Sequence, residues 1–152
     1  MEPGSEAESE KLFGRALDAL SAGETPSALA FLERALKLND NRSWYSYLGY
    51  CIAKERGQVK KGSELCNVAM EQEPLNTAHH LNQAKVHLVA GHKTEALQVL
   101  REGMALGGSQ AIMELLGQIG NRKPPVFSFL PRDNPLNRFF GLMLERLGLR
   151  SS

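Results

Sequence analysis

Cysteine is almost missing from this sequence. Two in 152 residues cannot build the disulfide framework of a small secreted domain. No stretch approaches the run of about 18 apolar residues that a membrane-spanning helix needs. Charge of one sign is lacking too: the net charge is +1, which gives no general attraction to nucleic acid. Residues 1–10 are acidic, with neither a basic start nor an apolar stretch, and so do not read as a secretory signal; the expected compartment is the cytoplasm. There is no Gly-rich phosphate loop, no strand to carry a dinucleotide fingerprint and no helical His-Glu-x-x-His. The expectation is a non-enzymatic chain without cofactor or metal. What is present, 42% hydrophobic and 23% charged residues, suits one domain with a real core.

The balanced charge is unevenly laid out. Residues 1–40 carry a net −4, residues 41–108 a net +2 and residues 109–152 a net +3. The basic residues of the last segment (Arg122, Lys123, Arg132, Arg138, Arg146, Arg150) are spread thinly and read as solvated charges, so nucleic acid is not an expected partner.

An internal repeat organises the first two thirds. Gly23, Gly57 and Gly91 are 34 residues apart. Five positions after each stands a small residue: Ala28, Gly62, Ala96. Leu32, Cys66 and Leu100 follow, then Ala35, Ala69 and Gly103, and Asp40, Pro74 and Gly108 close the units. The physical reading is helix-pair packing. A glycine stops one helix in the left-handed conformation, and small residues in the next helix let the two axes approach closely. Apolar residues three and four apart, such as Ala28, Phe31, Leu32, Ala35 and Leu36, make one buried stripe. Thr25-Pro26 adds a capping hydroxyl followed by a first-turn proline. The expected helices are 7–21, 26–38, 43–55, 59–72, 77–90, 93–106, 110–120 and 135–147, preceded by a flexible acidic segment over residues 1–8.

These columns resemble the tetratricopeptide repeat family, whose unit is a helix-turn-helix of 34 residues, and in particular its small bacterial three-repeat members. The clearest first-helix pattern is Tyr45-Ser-Tyr-Leu48-Gly49-Tyr-Cys-Ile52; His80, Ala84 and His87 take the same places in the third unit, and Leu12, Ala16 and Ala19 in the first. The resemblance implies an all-α fold, a right-handed superhelical α-solenoid with repeats at about 9–42, 43–76 and 77–110 and a partial fourth over 110–120. From Gly49 to Gly57 is eight residues, against seven in the other units. Either one residue is inserted near Lys54–Arg56, or Tyr50 sits at the crowded small-residue place, which close packing disfavours. The face of the second repeat is therefore open by one position.

Past residue 120 the pattern changes. Residues 121–134 are proline-rich and read as an extended linker. Leu136, Phe139, Phe140, Met143, Leu144 and Leu147 give the last helix an apolar face, expected to cap the stack or to serve self-association. Four histidines, His79, His80, His87 and His92, fall within 14 residues. Their spacing does not suit a helical zinc site, and His79 and His92 read as exposed. Cys51 and Cys66 read as small buried residues rather than a disulfide.

The resemblance implies a concave groove lined by the first helices. It would offer Phe13, Leu17 and Leu20 in the first repeat, Ser46, Tyr50 and Ala53 in the second, and Leu81, Lys85 and Leu88 in the third. Phe13 and Leu17 stand where the family's carboxylate-clamp members need Lys and Asn, so chaperone-tail binding is not expected. An apolar peptide or amphipathic helix of a partner protein fits better, with Lys85 meeting a carboxylate or carbonyl. The expected function is an adaptor or scaffold. The alternatives are a self-associating module and a chaperone for a secreted substrate.

Overall fold

Small residues decide where the helices of this chain touch. A computed structural model describes residues 3–120. Its elements are α1 (Pro3–Ser21), α2 (Thr25–Leu38), a 3-10 turn at Arg42–Trp44, α3 (Tyr45–Arg56), α4 (Val59–Gln72), α5 (Thr77–Val89), α6 (Lys93–Ala105) and α7 (Gln110–Gly120). Among the described residues all regular structure is helical, and no helix is long and apolar enough to cross a membrane. The extended segment expected over 121–134 and the capping helix over 135–147 lie outside the described residues. Most of the segment expected to be flexible is instead the first two turns of α1. There the Ser9 hydroxyl donates to the Glu6 carbonyl at 2.8 Å.

The helices pair across glycine turns. Gly23, Gly57 and Gly91 have φ of +76°, +69° and +81°, the left-handed conformation glycine adopts without penalty. Across these turns α1 packs on α2, α3 on α4 and α5 on α6. The small columns line the seams: Ala28, Leu32, Ala35, Cys66, Ala69, Ala96 and Leu100 are all fully buried. Closest of all is the approach of α3 to α4 at Gly49 and Gly62. A Cβ added at either would meet the other's backbone carbonyl oxygen, nearer than the 3.0 Å that real Cβ atoms keep. Gly49 therefore takes the crowded place, opposite Gly62, as Ala16 and Ala84 are buried in their own pairs.

That placement explains the extra residue before Gly57. After α1 and α5 the turn closes with Glu24 N–H donating to the Ala19 carbonyl and His92 N–H to the His87 carbonyl. Helix α3 instead runs on to Arg56, and Gln58 N–H reaches the Ile52 carbonyl, one residue further back. The additional residue is absorbed as helix, and the 34-residue spacing of the glycines survives. One capping expectation changes. Glu24, not Thr25, holds the N-cap position of α2 and makes no side-chain cap, while Thr25 is inside the helix and buried.

Each pair also packs on the next, through contacts of α2 with α3, α3 with α5, α4 with α5 and α6 with α7. The core follows this order. Ala16, Ala28, Leu32, Cys51 and Ile52 form one cluster; Ala53, Cys66 and Val86 bridge α3, α4 and α5; Ala84, Leu88, Leu100, Ile112 and Ile119 close the α5–α7 end. Trp44, a residue to which the sequence pattern gives no role, is 6% exposed and stacks on Phe13 with ring centroids 4.5 Å apart. It is the large aromatic between the first two pairs. The adjacent Tyr45 lies nearer the surface, its hydroxyl donating to Asp40.

Candidate partner-binding face

Helices α1, α3 and α5 supply every side chain expected on the groove, and three contacts tie them side by side. Phe13 of α1 meets Tyr47 of α3 edge-on at 5.3 Å between centroids. Ser46 of α3 accepts a hydrogen bond from the Asn82 amide of α5 at 2.9 Å. The Lys85 ammonium of α5 stands 5.1 Å from the centre of the Tyr50 ring of α3. Tyr50 and Lys85 are thus neighbours across two successive pairs, in the register that puts Gly49 in the crowded seam.

The expected lining residues divide by burial. Phe13, Leu17, Leu20, Tyr50, Leu81 and Lys85 are half-buried. Ser46 is 0% exposed and Leu88 2% exposed, and Ala53 is wholly covered as well, so none of these three can touch a partner. Each is consumed by packing within the chain, and Ala53 lies among α3, α4 and α5. Leu88 goes into the α5–α7 cluster and Ser46 into a polar knot. Burial pushes the Tyr50 pKa up to about 12, with the nearby Cys51 thiol adding to the rise and the Thr25 hydroxyl opposing it.

The polar knot was not legible from spacing. His79, expected at the surface, is 0% exposed. Its Nδ1 lies 2.6 Å from Ser46 Oγ and its Nε2 2.8 Å from a Glu73 carboxylate oxygen. An ionised carboxylate only accepts, so Nε2 carries the proton, and in the neutral ring the Ser46 hydroxyl donates to Nδ1. The His79 bond, helped by the Asn76 amide, holds the Glu73 carboxyl below its ordinary value. Hydroxyl, imidazole and carboxylate in sequence are the parts of a nucleophilic triad. Here the hydroxyl is sealed between α3 and α5, where no substrate reaches it, so the arrangement joins helices.

Burial raises the Cys51 thiol to about 12 and raises Cys66 as well; both thiols are free. His87 and His92 have ring centroids 6.4 Å apart, and among the described residues no three of His, Cys, Asp and Glu gather as a metal site. A second concavity, between α2 and α3, is open and lined by Ala30, Glu33, Arg34, Leu36, Lys37 and Leu48. Its Glu33 pairs with Arg56 at 2.9 Å.

Comparison of the chain with protein-family models, curated proteins and solved structures finds no match.

Proposed function

We propose that the chain is a right-handed α-solenoid of tetratricopeptide type, with three repeats and a partial fourth, and that it works without catalysis as a cytoplasmic adaptor. It holds a peptide or amphipathic helix of a partner protein against the side-by-side first helices α1, α3 and α5. The observation that carries this reading is the row of half-buried side chains, Phe13, Leu17, Leu20, Tyr50, Leu81 and Lys85, drawn from three helices in contact. A few aliphatic and aromatic anchors on a rigid helical face are what partner binding by a groove requires. Leu17 and Leu81 are the aliphatic anchors; Phe13, stacked on Trp44, and Tyr50, beside Lys85, are the aromatic ones.

The test is affinity capture from source-cell lysate with identification by mass spectrometry. Wild type is compared with Leu17→Asp and Leu81→Asp, each checked for an unchanged helical spectrum. A partner retained by wild type and lost from both variants supports the adaptor. A partner that both variants hold equally places recognition elsewhere on the molecule and overturns it.

Self-association is a second reading, favoured by the apolar side chains left open near the α6–α7 end: Met104 is 37%, Leu106 41% and Met113 51% exposed. In this reading the C-terminal helix expected over 135–147 in one copy covers these side chains in another, so the sedimentation coefficient is expected to rise with protein concentration and to show no such rise after truncation at Gly120.

A further inference from the structure

Lys85 is an anomaly on this face. It is one of the more enclosed cations of the described chain: α5 packs on α3 beside it, and burial lowers its pKa. Taking even part of an ammonium's surface out of water is costly, and enclosed charges in proteins are ordinarily paired. Lys85 is half-buried and forms no ion pair among the described residues; its neighbour there is the Tyr50 ring. A ring quadrupole attracts the charge but accepts none of its three N–H groups in a full hydrogen bond. The carboxylates that do form ion pairs are occupied elsewhere, Glu33 with Arg56 and Glu73 with His79. Cys51, the α3 group whose charge would act on it, is a neutral thiol up to about 12 and supplies no negative charge.

Resting on the adaptor reading, we propose that Lys85 is the specificity point of the face: the bound segment carries an aspartate or glutamate side chain whose carboxylate pairs with the Lys85 ammonium, next to apolar residues that cover Leu81 and Leu17. One ammonium matches a single negative charge. A phosphate would call for several donors at once, and an uncharged segment would leave the ammonium without a counter-charge. The Tyr50 ring, its centre 5.1 Å from the ammonium, backs the charge. The enclosed setting makes the pair less sensitive to salt than a surface ion pair.

The probe is a phage-displayed library of random peptides, panned on the full chain and, in parallel, on Lys85→Met, which keeps the stem over Tyr50 and removes the charge. Wild type is expected to enrich peptides with one Asp or Glu flanked by apolar residues. Lys85→Met, with an unchanged melting temperature, is expected to keep the apolar preference and lose the acidic one. Replacing the acidic residue of an enriched peptide by its amide is expected to weaken binding to wild type about tenfold and to leave binding to Lys85→Met unchanged. Enriched peptides without an acidic preference overturn the Lys85 assignment and leave the adaptor standing, as does an amide penalty of equal size on both proteins. If wild type enriches no peptide at all, the adaptor reading falls, and the assignment with it.

Discussion

At the scale of single residues, this molecule is governed by side chains that are absent or sealed in. Gly49 and Gly62 let α3 and α4 approach until their backbones touch, and neither helix has room to yield, because α3 is also clamped by α2 and α5. Gly49→Ala is expected to destabilise by about 3 kcal/mol, the upper end of overpacking costs. Gly4→Ala, where nothing lies within 4 Å, is expected to be neutral or slightly stabilising; urea midpoints of the two variants compare them. The cysteines give a second prediction. With both thiols buried and their pKa values raised, the nucleophilic thiolate is scarce. Neither is expected to react with a disulfide reagent in the native chain on the timescale of minutes, and both are expected to react in denaturant. Prompt native labelling at either would mean that the seam opens.

Glu73 extends the residue scale to pH. Its folded-state pKa is depressed, chiefly by the bond from His79. Its contribution is therefore present above the unfolded carboxylate value of about 4.3 and is lost as pH falls through the lower folded value. The side chain is 41% exposed, so solvent screening keeps the effect small. Glu73→Gln is expected to flatten the fall of the urea midpoint between about pH 5 and about pH 3 relative to wild type. Identical slopes would show that the knot contributes nothing to acid stability.

At the scale of elements, each pair of helices is specified by one turn and one stripe. The left-handed glycines end α1, α3 and α5, and the small columns set where the second helix lands. Gly57→Ala is expected to cost about 1 kcal/mol, since the substitution forces a β-carbon into a φ of +69° that it resists. A thermal melt measures it. The expected helices over 26–38, 43–55, 59–72, 77–90, 93–106 and 110–120 lie within one or two residues of the elements found. Helix α1 is the exception and starts four residues early. Its first turns carry no apolar periodicity, and its acidic residues, solvated at a helix N-terminus, suit the dipole there.

At the scale of the whole molecule, enclosure falls off toward the α7 end. Helix α3 is packed by α2, α4 and α5, while α7 rests on α6 with Ile112 and Ile119 as its buried anchors. Local opening follows local packing. In native-state hydrogen exchange of the full chain, the amides of α3 and α4 are expected to be the slowest, and those of α7 the fastest among helix interiors. Protection of α7 equal to that of α3 would point to a cover on α7 supplied from outside residues 3–120.

The sequence by itself determined the helical class, the glycine turns and the buried small columns, because these depend on local conformation and on a periodicity any reader of the chain can count. It left the face of the second repeat open by one residue; the backbone contact of Gly49 with Gly62 decided it. Tertiary packing alone showed that Ser46 is spent between α3 and α5, Ala53 among α3, α4 and α5 and Leu88 in the α5–α7 cluster, that Trp44 stacks on Phe13, and that His79 is a buried link rather than a surface residue. Periodicity assigns a side chain to a face of its own helix; it takes the neighbouring helix to decide whether that face meets solvent, a partner, or another part of the same chain.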